Sequence, residues 1–138
     1  GGPGDVVVRL LLDTSDYIAM RRGSEALRRL FHRSVEVALS MIGFGEILYG
    51  FHRGRQLDQN LEQLERFLAR PSVRLLPVTR ATADRYARVA AGLWRTGRPI
   101  PTNDIWIAAQ ALETSADLVS TDTHFGEVDG LVWIPLSG

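Results

Sequence analysis

Four carboxylates stand where they could do chemistry together: Asp13, Glu46, Asp104 and Asp122. Asp13 directly follows the apolar run Val6 to Leu12, and Asp122 follows the shorter run Leu118 to Ser120 after Thr121. Asp104 lies in the first turn of a helical pattern that Thr102 or Asn103 would cap. Glu46 sits inside a helical pattern that is apolar nearly all round. Taken alone, Asp13 and Asp122 could serve as turn or cap residues, and Asp104 could complement a helix dipole. Glu46 is harder to place, because desolvating an unpaired carboxylate costs several kcal/mol. No Lys exists to pair it, since all 16 basic residues are Arg, and its helix offers no Arg before Arg53. Gly43, Gly45 and Gly50 suggest that something approaches that helix closely.

Together the four acids point to a hard divalent cation, Mg²⁺ or Mn²⁺, which takes carboxylate oxygens and keeps several waters. Without a cation or protons the cluster would repel itself. A metal held there would activate a water and neutralise charge on a phosphodiester in its transition state.

Composition narrows the alternatives. The 138 residues fit one domain, and an apolar fraction of 45% is enough for a sizeable core. No apolar stretch approaches the roughly 20 residues of a membrane span, so no membrane partner is expected. Gly1-Gly2-Pro3-Gly4 has neither a Met nor the basic and apolar regions of a signal peptide. It reads as a cloning remnant ahead of a single domain over 5–138. The absence of Cys excludes disulfides, thiolate catalysis and Cys-ligated zinc, and suits a cytoplasmic location. The absence of Lys excludes a Walker-type phosphate loop, a Schiff base, and receiver or phosphatase sites that pair a Lys with acids. Formal net charge is zero, so contact with nucleic acid must come from local Arg patches.

The elements that would position the acids alternate between strand and helix. Val6–Leu12 reads as a strand buried on both faces. A short helix over about 16–20 follows, then one capped by Ser24. Glu36–Leu39 is a short strand, Ser40 a helix cap, and the next helix runs to about His52. Its stripes are Phe44, Ile47, Leu48 and Phe51, and Ile42, Glu46 and Tyr49, which predicts a buried helix. Leu57, Leu61, Leu64 and Leu68 mark another helix. Val73–Leu76 is a strand; Thr79 opens a helix that Gly97 stops. After the rigid loop Arg98–Pro101 come a helix, the strand Leu118–Ser120, a turn over 121–125, and a strand over Leu131–Ile134. Such alternation predicts an α/β fold with a largely parallel sheet and helices on both faces. In such folds the site lies beyond the carboxyl ends of the strands.

Four stretches resemble the motifs of one family in order. Leu11-Leu12-Asp13-Thr14-Ser15 is similar to the opening motif of PIN domains. Gly45-Glu46-Ile47-Leu48-Tyr49-Gly50 resembles the second motif of the VapC branch. Arg98-Pro99-Ile100 with Asn103-Asp104-Ile105-Trp106 resembles the third, and Thr121-Asp122-Thr123-His124-Phe125 the fourth. The resemblance runs from about Val6 to Pro135. It implies a five-stranded PIN-like fold and a Mg²⁺- or Mn²⁺-dependent endoribonuclease, the toxin of a bacterial toxin–antitoxin pair. Asp13, Glu46, Asp104 and Asp122 would then be its catalytic, metal-holding acids. Asp13, Asp104 and Asp122 would hold the metal directly or through its waters, and Glu46 would complete the shell or orient the attacking water. Thr121 matches a position that is often a hydroxyl beside the metal. The partners implied are an RNA substrate, a cognate antitoxin whose tail enters the cleft, and a second copy in a homodimer. His124 stands where many relatives have Asp or Arg.

Other residues have plainer uses. Asp16 reads as a first-turn helix acid, with auxiliary contact to the site as the sharper alternative. His32, His52 and His124 show no metal-ligand spacing and read as surface or core residues. Arg21, Arg22, Arg28, Arg29 and Arg33 read as a solvated helix face, with RNA or antitoxin binding as the alternative. Trp94 and Trp106 read as core or dimer-interface residues. Asp13 is expected to face solvent, so that Asp13→Ala leaves the fold intact. The rival to catalysis is a non-catalytic RNA- or protein-binding module on the same fold.

Overall fold

The computed structural model describes residues 8–136, so Val6, Val7 and the Gly1–Gly4 segment lie outside the described residues. The elements run β1 (Val8–Leu12), α1 (Thr14–Arg21), α2 (Glu25–His32), β2 (Ser34–Ser40), α3 (Met41–Arg53) and α4 (Leu57–Leu68). They continue with β3 (Val73–Leu76), α5 (Arg80–Arg95), α6 (Thr102–Thr114), β4 (Asp117–Ser120), a 3₁₀ turn (Thr123–Glu127) and β5 (Trp133–Pro135).

The strands form one sheet in the order β3-β2-β1-β4-β5, every pairing parallel. Central β1 is covered on both faces, as its unbroken Leu10-Leu11-Leu12 requires; none of the three is exposed. Leu10 and Leu12 pack in one core cluster with Tyr17, Leu27, Ile47 and Leu64, from α1 to α4. Leu11 faces the opposite way, into a second cluster with Ile107, Ala108 and Ala111 of α6 and Phe125. The expected α/β sandwich, with helices on both faces of a five-stranded sheet, is therefore present.

Several local expectations change. Helix α1 begins at Thr14 rather than Asp16, because Asp13 caps it. Neither Thr102 nor Asn103 caps α6; the N-cap position is Pro101, and no side chain caps that end. The last strand lies at Trp133–Pro135, because Gly130 (φ 79°) turns the chain and β4 pairs from Leu118↔Trp133 onward. Helix α3 is not buried all round. Gly43, Ile47 and Phe51 face the core, while Glu46 and Tyr49 face outward, Tyr49 with 63% exposure. Of its glycines only Gly43 is closely approached: a Cβ there would stand 3.3 Å from the Thr14 hydroxyl, whereas Gly45 and Gly50 face open space. Trp106 stacks on Tyr86 with ring centroids 4.1 Å apart. Trp94, at 83% exposure, is no part of this chain's core.

Candidate active site

The chain leaves β1 to build β2 and β3 on one side, then crosses back to build β4 and β5 on the other. Adjacent β1 and β4 thus flank the point where the connections diverge, and a crevice opens beyond their carboxyl ends. Asp13 and Asp122 come from those two ends.

Asp13 is held by three bonds. Its Oδ1 accepts from the Thr14 N–H at 2.8 Å, its Oδ2 accepts from the Ser120 hydroxyl at 2.8 Å, and its own N–H donates to Asp16 Oδ2 at 2.8 Å. The last belongs to a capping box at the start of α1, in which the Asp16 backbone N–H turns back to the Asp13 side chain. Asp13 is buried, not solvent-facing as the sequence suggested. The buried Ser120 hydroxyl also accepts from the Asp122 N–H at 2.9 Å, so one side chain ties both strand ends together. Asp122 caps the 3₁₀ turn through the His124 N–H at 2.9 Å. Asp104 enters from the first turn of α6. The His124 Nδ1 lies 2.9 Å from Asp122 Oδ1 and 3.3 Å from Asp104 Oδ2. Glu46 reaches across from α3, where Gly43 lets α3 lie against Thr14, and its Oε1 accepts from the Thr14 hydroxyl at 3.3 Å.

The four sequence-predicted acids therefore gather in one place. Thr121 stands at its edge, exposed, with its hydroxyl 3.5 Å from Ser15 rather than against an acid. Next to Ser15 and Thr121 opens a cavity of 630 Å³, walled by Ile18, Ala19, Ala26 and Leu136. Sequence reasoning missed three neighbours. Ser120 and Thr14 carry no charge to draw attention. His124 is not a detached surface histidine; only the Asp-x-His spacing hinted at its place.

The electrostatics are those of a site short of positive charge. Burial raises the carboxyl of Asp13 against the pull of its hydrogen bonds, and the negative charge of Asp122 adds to the rise. Burial and the charge of Asp13 raise Glu46. Burial, then the neighbouring Asp122, pushes Asp104 up to about 7. Burial also acts to raise Asp122, but the His124 N–H, the Asp104 carboxyl and the His124 ring outweigh it and hold Asp122 low. Of the two neighbouring carboxyls, Asp104 is the one that keeps its proton to the higher pH. Hydrogen bonding to Asp104, then the charge of Asp122, raises His124. Among the ion pairs of the described residues, no Arg reaches any of these acids. Burial and mutual repulsion disfavour full ionisation of such a cluster, and the carboxylate-rich donor set fits a hard divalent ion.

Asp16 lies beneath this cluster, fully buried, with one oxygen on the Asp13 N–H and the other, Oδ1, without a partner. Burial first, then the charge of Asp13, pushes it up to about 8. The folded state thus holds a proton that the unfolded chain gives up near pH 4. Its contribution to stability is complete below about pH 4 and is lost as pH rises to 8. Asp16→Asn keeps an acceptor for the Asp13 N–H without a charge to bury. Urea unfolding at pH 4 and pH 8 should show the variant near wild type at the first and more stable at the second. An unchanged difference between the two pH values would show that Asp16 does not hold this proton.

Comparisons with known proteins show the family of the chain. A family model for the PIN domain matches residues 10–131. Ribonuclease VapC2 of Haemophilus influenzae is 30% identical over 118 residues, 84% of this chain and 88% of the relative. Ribonuclease VapC5 of Mycobacterium tuberculosis is 28% identical over 120 residues, 87% of each chain. The crystal structure of VapBC-5, a member of the VapBC family of toxin–antitoxin systems from Mycobacterium tuberculosis, superposes with a TM-score of 0.74 at 29% identity. That match covers 94% of this chain and 99% of the other. The chain belongs to the PIN-domain family, in its VapC branch.

Proposed function

We propose that this protein is a metal-dependent endoribonuclease and the toxin of a toxin–antitoxin pair. The observation that carries the reading is the convergence of Asp13, Glu46, Asp104 and Asp122 at the carboxyl ends of β1 and β4. Membership in a family whose relatives are named ribonuclease VapC supplies the substrate class.

Asp13, Asp104 and Asp122 would hold the cation, Mg²⁺ or Mn²⁺, and Glu46 would complete its shell or accept a proton from water. When bound, a divalent ion supplies an acidified water and charge neutralisation at the phosphodiester. The chain's own residues do the rest. Ser120 and Thr14 fix Asp13 through its two oxygens, and the Thr14 hydroxyl aims Glu46. Asp104 must shed its proton before it can act as a ligand. Thr121 is kept as an auxiliary residue at the rim, and Asp16 as the support beneath Asp13. Residues 5–138 are taken as one PIN domain. Among the described residues no helix is long and apolar enough to cross a membrane; a cytoplasmic site of action follows from the RNA substrate proposed.

The test is cleavage of an end-labelled RNA with and without chelator, followed by end-group analysis. Attack by water predicts a 3′-hydroxyl and a 5′-phosphate and no cutting in chelator. A 2′,3′-cyclic phosphate, or full activity in chelator, would falsify the role given to the acids.

The partners proposed are a cognate antitoxin and a second copy of the chain. The solved relative named above is a member of the VapBC family of toxin–antitoxin systems, and the cavity beside Ser15 and Thr121, with Ile18, Ala19 and Leu136 beside Arg22 and Glu25, offers a partner a seat next to the acids. Trp94, 83% exposed near the end of α5, is a contact available to a homodimer. Light scattering at micromolar concentration should give twice the chain mass, and Trp94→Arg should lower it. A monomer mass for the wild type would refute the dimer.

A further inference from the structure

We propose that His124 is a ligand of the cation, adding one imidazole nitrogen to the oxygens of Asp104 and Asp122 and turning the site toward Mn²⁺ over Mg²⁺. The inference rests on the reading of the acids as a cation site and goes beyond it. The expected ligand set was four carboxylates, and nothing in the motif spacing assigns a nitrogen.

The argument is geometric. The 3₁₀ turn that carries His124 is capped by Asp122, so the bond from the His124 N–H to Asp122 Oδ1 fixes where the ring begins. The ring then turns back over the cap. Its Nδ1 lies 2.9 Å from one carboxylate oxygen and 3.3 Å from another, on a different helix. One ligand atom from each of Asp104, Asp122 and His124 lies within 4.8 Å of both others. Ligands at right angles on one ion, with bonds of about 2.1 Å, stand about 3 Å apart. The spacing of Nδ1 from its two oxygens matches that edge.

Two features separate this from an ordinary surface hydrogen bond. A histidine that merely donates to a carboxylate needs one acceptor, whereas this nitrogen is set between the oxygens of two carboxylates carried by different elements. The ring is also half-exposed at 50%, so its other nitrogen is free to meet water, as ligating histidines commonly do. Mg²⁺ binds an all-oxygen shell in strict octahedral geometry, while imidazole suits the transition metals. A nitrogen in the shell therefore favours Mn²⁺.

Pulsed electron paramagnetic resonance on the Mn²⁺-loaded protein reads the nitrogen directly. Wild type should show ¹⁴N coupling to the ion, and His124→Ala should lose it. Calorimetry should show Mn²⁺ affinity falling about tenfold or more in His124→Ala. Mg²⁺ affinity, measured by competition, should change much less. His124→Asn, which keeps the turn and a polar side chain, should behave like the Ala variant in both readouts. Mn²⁺ bound without ¹⁴N coupling, or coupling that survives both substitutions, overturns the inference and leaves the proposed function standing. An equal loss of both ions also overturns it. If the wild type binds no Mn²⁺ by calorimetry, the cation reading itself fails, and this inference with it.

Discussion

Asp13→Asn should lower RNA cleavage on the order of a thousandfold while leaving stability close to wild type. The loss follows from charge. A carboxylate on a divalent ion contributes several kcal/mol toward holding it and toward the charge it neutralises, and each 1.36 kcal/mol is tenfold in rate. The preserved fold follows from geometry. Asn is as good a helix cap as Asp, so its oxygen can still accept from the Thr14 N–H, and its amide can donate to the Ser120 hydroxyl. Asp13→Ala is a different experiment. It removes the cap of α1 and leaves the buried Ser120 hydroxyl without its acceptor, together about 1–3 kcal/mol. The sequence reading expected Ala to be harmless because it placed Asp13 in solvent. Comparing the two variants by thermal melting and by cleavage separates chemistry from folding. Activity within tenfold of wild type in Asp13→Asn would remove Asp13 from the site.

The second large effect is on stability. A cation bound only by the folded chain at 100 times its dissociation constant adds about 2.7 kcal/mol, which raises Tm on the order of 10 °C for a chain of this size. The pH dependence should change sign with the metal. In chelator, Asp104 holds its proton up to about pH 7, well above an unfolded carboxylate. Its contribution is therefore complete below about pH 4 and is lost as pH rises to 7. With metal present the same carboxylate must be ionised to bind, so the metal-induced rise in Tm should grow from pH 6 to pH 8. Asp13→Asn should blunt that rise. Melting curves at both pH values, in Mg²⁺ or Mn²⁺ and in chelator, check each part; identical curves with and without millimolar metal would count against a cation site.

Much of this architecture was legible in the sequence, for physical reasons that also explain the misses. Leu10 to Leu12 could only belong to a strand covered on both faces, and Val73–Leu76 is ended by Pro77. The acids could be grouped because strand ends and helix starts in parallel sheets meet at one edge. Burial of a helix face was less legible. Periodicity reveals that α3 has two stripes but not that only the one carrying Ile47 and Phe51 has a neighbour, so Glu46 was read as more deeply buried than it is. Asp13 erred the other way, since its burial depends on Ser120, far off in the chain. His124 escaped because its meaning comes from Asp104, 20 positions away, and from a turn too short to show a period.

The Ser120–Asp13 bond joins residues 107 positions apart, and this separation bears on how the protein is born. At about 5–20 residues per second, the ribosome makes Asp13 roughly 5–20 s before it makes Ser120. Throughout that interval β4 does not exist, the first carboxylate has no anchor, and Asp122 has yet to be added. A nascent chain therefore carries three strands and several helices but no assembled nuclease. A protein that cuts RNA is thus inert for nearly the whole of its own translation, and becomes competent only when the second half of the sheet docks against the first.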